Sequence, residues 1–459
     1  MRFRSFVVAA LCVPVLGLAA APLACGPSVG AQAPARSPAA SQWLERARAS
    51  YRSADFDDAH DASRHALEAS PGDPDIRVLA ARVALVRMEF SDALHLTEGL
   101  TSTDAHGVRG RAYWYSGDLE HAADELEAML ADPTVKDDWA REVAELARRG
   151  GGRHPFELDG ALVAEVDMPR ALDRVPLGSA NVVPCELDGE RILALVATGS
   201  SEVVLDSNSR HEPAWVNLRF DRLEVRDVPA LVQDLSAITR QLGVPIKALL
   251  GAQLLRHAHA TFDRRGDQFV VRRVDPPAPP EASRVPLFYL RGGGMLLRAA
   301  VTMHEEAPVP LLVDSARPFA LLLQDSAWKR AGIDVRTLVP VPDVPNVKHG
   351  VVPTLRLGGF DLAKTPAIEG ADVGEIAKGL DIDLGGIVGA DLLAFFRVTL
   401  ADDGHFMWIE PDPTLFGAEL PPAEMRPPPA QAPAPPVSLA PAGPPPASLA
   451  SSPAAPQAP

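Results

Sequence analysis

Cysteine is almost absent: 459 residues contain three, Cys12, Cys25 and Cys185. So few thiols exclude a disulfide framework and leave the folded parts to be held by apolar cores. Cys185 ends the apolar run Asn181-Val182-Val183-Pro184-Cys185 and reads as a buried structural thiol, not a nucleophile. Basic blocks are missing too. Lys and Arg number 44 against 60 Asp and Glu, a formal charge of −16, and no run of five or more cations occurs. A nucleic-acid partner is thereby excluded, since phosphates demand a concentrated cationic surface. There is no Gly-x-Ser-x-Gly elbow and no phosphate-cradling glycine loop. His304-Glu305-Glu306-Ala307-Pro308 starts like a zinc-peptidase helix but lacks the second histidine, and His257 and His259 have no nearby thiol or carboxylate to complete a metal set. No metal or cofactor is expected.

What is present is length and a globular balance, 47% hydrophobic and 23% charged, enough for two to four folding units. Of 45 prolines, 15 crowd into residues 421–459. Residues 416–459 therefore read as a Pro/Ala-rich tail that cannot bury enough surface to order itself.

Residues 1–25 read as an export signal: Arg2 and Arg4, an apolar run from Phe6 to Leu18 too short and Pro14-broken to span a bilayer, then Ala19–Ala21. Pro22-Leu23-Ala24-Cys25-Gly26 resembles a bacterial lipobox. That resemblance implies lipidation at Cys25, a periplasmic or cell-surface location on a membrane, and a flexible tether over 26–40. Cleavage after Val29-Gly30-Ala31 is the alternative and leaves a soluble exported chain.

Residues 41–149 are rich in Ala, Leu, Glu and Arg. Small residues recur in pairs 12 apart, Ala47 with Ala59, Ala81 with Ala93 and Gly110 with Ala122, each second member preceded by a bulky residue at Phe56, Phe90 or Leu119. Such a period predicts stacked antiparallel helix pairs, three of them, closed by a helix from Trp139 to Arg148. With Pro71 and Pro133 as stops, and Gly110, Tyr113 and Ala122 in the third unit, the segment resembles tetratricopeptide repeats, although Ser50 and Ala84 stand where that pattern has Tyr. The resemblance implies docking of a protein partner.

From about 156 short apolar runs alternate with turn residues, and the half-chain is duplicated. Gly251-Ala252-Gln253-Leu254-Leu255 matches Gly389-Ala390-Asp391-Leu392-Leu393; Thr261 matches Thr399, and Gly266 matches Gly404. Upstream, Val175-Pro176-Leu177 is expected to match Val285-Pro286-Leu287. Two homologous β-rich lobes follow, 156–275 and 284–415, joined by the stiff Pro-rich linker 276–283. The fold class is thus multidomain: an α-helical repeat followed by an all-β pair of barrel-like lobes. Gly292-Gly293-Gly294 reads as a hairpin turn or a mobile connection near the cleft between them.

Each lobe holds an apolar strand ending in a small-residue turn, Ala197-Thr198-Gly199 in the first and Asp314-Ser315-Ala316 in the second. With the later stretches Ala248–Gly251 and Gly386–Gly389, this resembles the aspartic peptidases, especially the retropepsin-like bacterial members. The resemblance implies a water-activating carboxylate pair, one from each lobe, sharing a proton. Asp314 matches one position, while Ala197 stands at the other and carries no acid. Thr198 and Ser315 match the hydroxyls that brace the two turns; Ala316 and Arg317-Pro318 depart from the pattern.

Three readings stay open: a cleft that binds extended peptide without cutting it, a working endopeptidase whose Asp314 takes a partner carboxylate from elsewhere (Glu202, Asp206 or a second chain), and an envelope scaffold. For Asp314 itself a turn-capping role is the structural alternative.

Overall fold

A computed structural model describes residues 36–172, 175–290, 293–302, 308–342, 344, 346–370 and 380–411. The export signal, Cys12, Cys25, His304 to Glu306 and the tail from 416 onward lie outside these described residues.

Seven helices come first: α1 (Pro38–Arg52), α2 (Phe56–Ala69), α3 (Pro74–Val86), α4 (Phe90–Thr97), α5 (Thr103–Ser116), α6 (Leu119–Leu130) and α7 (Asp138–Arg148). They form three hairpins and a closing helix. Helix α1 begins inside the segment read as tether (26–40), because Ser37 caps the Ala40 amide and Pro38 fits the first turn. Asp55, Asp73, Ser102, Asp118 and Asp137 cap later helices in the same way. The paired small residues are where helices touch: Ala47, Ala59, Ala81, Ala93 and Ala122 are fully buried, and a Cβ on Gly110 would lie 2.6 Å from Leu126. The bulky residues Phe56, Phe90 and Leu119 each open the second helix of a pair.

The β region is two copies of one topology. In lobe one the strand Glu190–Val196 runs parallel to Ile246–Leu250, which pairs antiparallel with Val203–Asp206, itself parallel to Leu223–Gln233. In lobe two Val309–Asp314, Gly386–Gly389, Leu321–Leu323 and Phe360–Glu369 repeat the same order and directions. A glycine is required where each return strand passes under its neighbour: a Cβ at Gly251 or Gly389 would strike the carbonyl of Glu202 or Phe319.

A six-stranded sheet joins the lobes, with Thr261–Asp263 paired to Phe396–Ala401 at its centre. Its outer strands correct the upstream match. Val163–Asp167 on one side answers Ser283–Pro286 on the other. The amide of Met168 donates to the Asp267 carbonyl as that of Leu287 does to His405, so Leu287 is the counterpart of Met168 and not of Leu177. Val175-Pro176 instead forms a short hairpin with Ala171-Leu172.

The helical array packs against both lobes. Phe56 meets Phe288 at 4.8 Å, Arg82 pairs with Asp381 at 2.7 Å and the Arg52 carbonyl accepts from Asp383 N at 2.7 Å, all in lobe two. On lobe one the Trp215 indole donates to the Leu146 carbonyl at 2.9 Å and packs against Trp114 and Gly150. This docking adds to the burial of α3 and α5, while arginines 109 and 111 are buried within the array itself, against the Thr97 and Leu100 carbonyls, Glu125 and Asp137.

Candidate functional site

The two small-residue turns meet at the lobe boundary. Thr198 Oγ1 donates to the Val313 carbonyl at 2.9 Å and accepts from Ser315 N at 3.0 Å. Ser315 Oγ donates to the Val196 carbonyl at 2.8 Å and accepts from Thr198 N at 3.2 Å. Each hydroxyl thus satisfies one donor and one acceptor of the opposite lobe, and both residues are buried. The sequence placed these two side chains in bracing positions, and the geometry brings them together.

Asp314 ends its strand at this junction. Its carboxylate accepts from Ala316 N at 3.1 Å, as a turn cap does, and pairs with Arg317 Nε at 3.0 Å. Gly199 lies directly against it: a Cβ there would stand 2.6 Å from the Asp314 Cγ. Close backbone approach is therefore kept in lobe one, while Ala316 in lobe two has a methyl. Ala197 sits at the matching point of the other strand, 1% exposed, its amide bound to the Leu250 carbonyl.

Neither carboxylate that follows Ala197 faces Asp314. Glu202 is buried against the helices and accepts from Trp114 Nε1 at 3.1 Å and Trp139 Nε1 at 2.9 Å, with the Ser201 hydroxyl as a third donor. Burial pushes its pKa above the usual carboxylate range. Asp206 accepts from Asn208 and from Leu235 N and lies 3.7 Å from Lys247. Both act as structural acids of lobe one, so the open alternative in which one of them partners Asp314 finds no support in their contacts.

The face of the sheets that carries the two motif positions is largely covered. Side chains alternate along a strand, so Leu312 shares a face with Asp314, and Leu195 with Ala197. In lobe two Phe288, Leu296, Leu312, Ile387 and Leu322 form one cross-strand row on that face. It belongs to a continuous apolar cluster with Ile382, Leu384 and residues of α1 to α3. The lobe-one row, Val182, Leu195, Leu249 and Val204, lies under Leu235, Val244 and the helix α8 (Ser236–Leu242). A Cβ on Gly294 of the glycine turn would lie 3.4 Å from Leu312 and 3.5 Å from the Gly199 carbonyl. An open groove of about 150 Å³ remains beside the motif, between Leu177–Ala180, α8 and Ala316, Pro318 and Asp391.

Among the described residues no cluster of His, Cys, Asp and Glu could hold a metal, and no helix is long and apolar enough to cross a membrane. His257, weighed as half of a metal pair, stacks on Phe156 at 4.6 Å, and burial drives its pKa well below the usual value.

The fold and the junction define a class: a tetratricopeptide-like helical array followed by a bilobal, aspartic-peptidase-like β domain. No protein-family profile matches the sequence, and no curated protein does. Among solved structures the helices are similar to the TPR domain of Arabidopsis OM64, with 17% identity over 24% of this chain and 95% of that one, TM-score 0.23. The β region is similar to a retropepsin-like aspartic protease from Rickettsia conorii, with 15% identity over 29% of this chain and 95% of that one, TM-score 0.22. It is also similar to the aspartic proteinase from Irpex lacteus, with 11% identity over 54% and 97% of the two chains, TM-score 0.37.

Proposed function

We propose that this chain is an exported, catalytically impaired aspartic-peptidase-like protein that binds an extended peptide or protein segment without cutting it, its repeats docking a protein partner. One observation carries the reading: Ala197 stands in the braced junction opposite Asp314, and the acid that remains is ion-paired with Arg317. A methyl group neither activates water nor shares a proton, so the dyad chemistry has no second member. The groove beside Ala316 is the part of the motif face left open to a ligand side chain. Anchoring through a lipid on Cys25 belongs to the same proposal, and mass spectrometry of the mature N-terminus tests it.

The scaffold reading has its own support in the cover that α1 to α3 and the Ile382–Leu384 loop place over lobe two. Cleavage of an unbiased peptide library between about pH 3 and 7 separates these readings from an active endopeptidase. Wild type is expected to be silent. Cleavage by wild type that disappears in Asp314→Ala overturns the impaired reading. Capture of library peptides by wild type, weakened when Ala316→Trp fills the groove, supports binding; no capture leaves the scaffold.

A further inference from the structure

A second cavity, of about 70 Å³, lies where the repeats meet lobe one. Trp114, Tyr115, Phe156, Glu202, Gln253 and His257 line it, together with the exposed Ser116. At roughly 10–15 Å³ per water-sized probe, it holds a compact group of about five heavy atoms.

Its chemistry is one-sided. Glu202 is 2% exposed, yet both of its oxygens accept only from neutral donors, two indoles and a hydroxyl. No lysine or arginine lines the cavity, and burial pushes the pKa of His257 well below its usual value. Arg111 is committed to Asp137 at 2.6 Å, and Arg256 donates to neutral acceptors, Gln253 Oε1 and the carbonyls of Tyr115 and Asp403. The Tyr115 hydroxyl is buried beside Ser201. Phe156 is held at φ +60°, a conformation unfavourable to a bulky side chain, with its ring stacked on the neutral His257. A buried carboxylate without a counter-ion is costly, and aromatic faces are negative. Both features are satisfied by the same guest, a cation with an apolar envelope.

We propose that this cavity binds the head of an alkylated ammonium or guanidinium group, with Glu202 as counter-charge and Trp114, Tyr115 and Phe156 as its cage. The head comes either from a free small molecule or from a modified lysine or an arginine side chain of a partner.

The test uses the full chain. Choline, guanidinium and a trimethyllysyl peptide are titrated by calorimetry and by tryptophan fluorescence, beside 3,3-dimethylbutan-1-ol, the uncharged isostere of choline. Saturable binding of a cation is expected, at least about tenfold weaker for the neutral isostere and for Glu202→Gln. Because Glu202 also ties helices to lobe one, Phe156→Leu is the second variant: it removes one wall and is expected to weaken binding with an unchanged circular dichroism spectrum. Binding of the peptide but not choline assigns the head to a protein partner, and the converse to a small molecule. Equal binding of the isostere, or no binding of any cation up to about 50 mM, overturns the proposal and leaves Glu202 as a structural latch.

Discussion

The hydroxyls of Thr261 and Thr399 face each other at 2.8 Å across the central strand pair of the six-stranded sheet. They are equivalent residues of the two lobes, so the pseudo-twofold axis passes between them. The Thr198–Ser315 exchange lies at the same lobe boundary. The lobes are therefore joined at two levels, by a continuous sheet and by the braced turns, and they are expected to unfold together.

The braced turns set the first prediction. Thr198→Val removes a buried hydroxyl and leaves Ser315 N–H and the Val313 carbonyl unpaired. Each buried group left without a partner costs about 1–3 kcal/mol. Urea unfolding is expected to show a loss of about 2–4 kcal/mol for Thr198→Val and similarly for Ser315→Ala. The double variant is expected to lose less than the sum, because both changes dismantle one network. Additive losses would show that the turns are not coupled.

Glu202 sets a pH dependence. Burial raises its pKa above the ordinary value of 4.5, so the folded chain holds this proton more tightly than the unfolded chain. Its contribution to stability is full below the unfolded value and is lost as pH rises through the folded one. The unfolding free energy of wild type minus that of Glu202→Gln is therefore expected to fall as pH rises from about 4 toward 7, by at most about 1.4 kcal/mol per pH unit. Taking the difference cancels opposite contributions from acids held low by arginines, such as Asp58 and Asp73. A difference that stays flat with pH would mean that Glu202 is solvated.

Cys185 is expected to be chemically silent. It is buried within the lobe-one core, and burial pushes its thiol pKa up to about 12, which removes the reactive thiolate at neutral pH. Iodoacetamide at pH 8 followed by peptide mapping is expected to leave Cys185 unmodified in the native protein and to modify it fully in guanidinium. Rapid native labelling would place it at a mobile edge.

Much of this architecture was legible in the sequence where a residue type has one physical use. Small residues 12 apart mark helix contacts, and the glycines of Gly-Ala-x-Leu-Leu stand where a return strand crosses a carbonyl. The upstream match to Val175-Pro176-Leu177 followed composition. The true counterpart, Val166-Asp167-Met168, shares no residue order with Val285-Pro286-Leu287 beyond its first valine, and its equivalence lives in backbone hydrogen bonds. The docking of the repeats was not legible, because an indole signals burial without naming its partner: Trp114, Trp139 and Trp215 come from distant segments and converge on Glu202 and Leu146. Glu202 and Asp206 drew attention by nearness to Ala197 in the chain, but a turn separates them from it and aims Glu202 at the helices.

That docking meets the lobe boundary at a tight point. Gly293 at φ +86° lies where lobe two meets lobe one and α5: a Cβ there would clash with Ser201 and stand 3.1 Å from the Tyr115 hydroxyl and 3.2 Å from Gln253 Nε2. Gly293→Ala combines an unfavourable backbone conformation with overpacking, a loss of about 2–4 kcal/mol if the junction stays closed. Relief is available by parting the glycine turn from Ser201, which loosens the junction between α5 and both lobes. Hydrogen exchange is therefore expected to show faster exchange in α5 and the Met295–Ala299 strand of Gly293→Ala, with the Thr261–Thr399 strand pair still protected. Unchanged exchange together with unchanged stability would show that the turn adopts another path and that Gly293 is not where the three units lock.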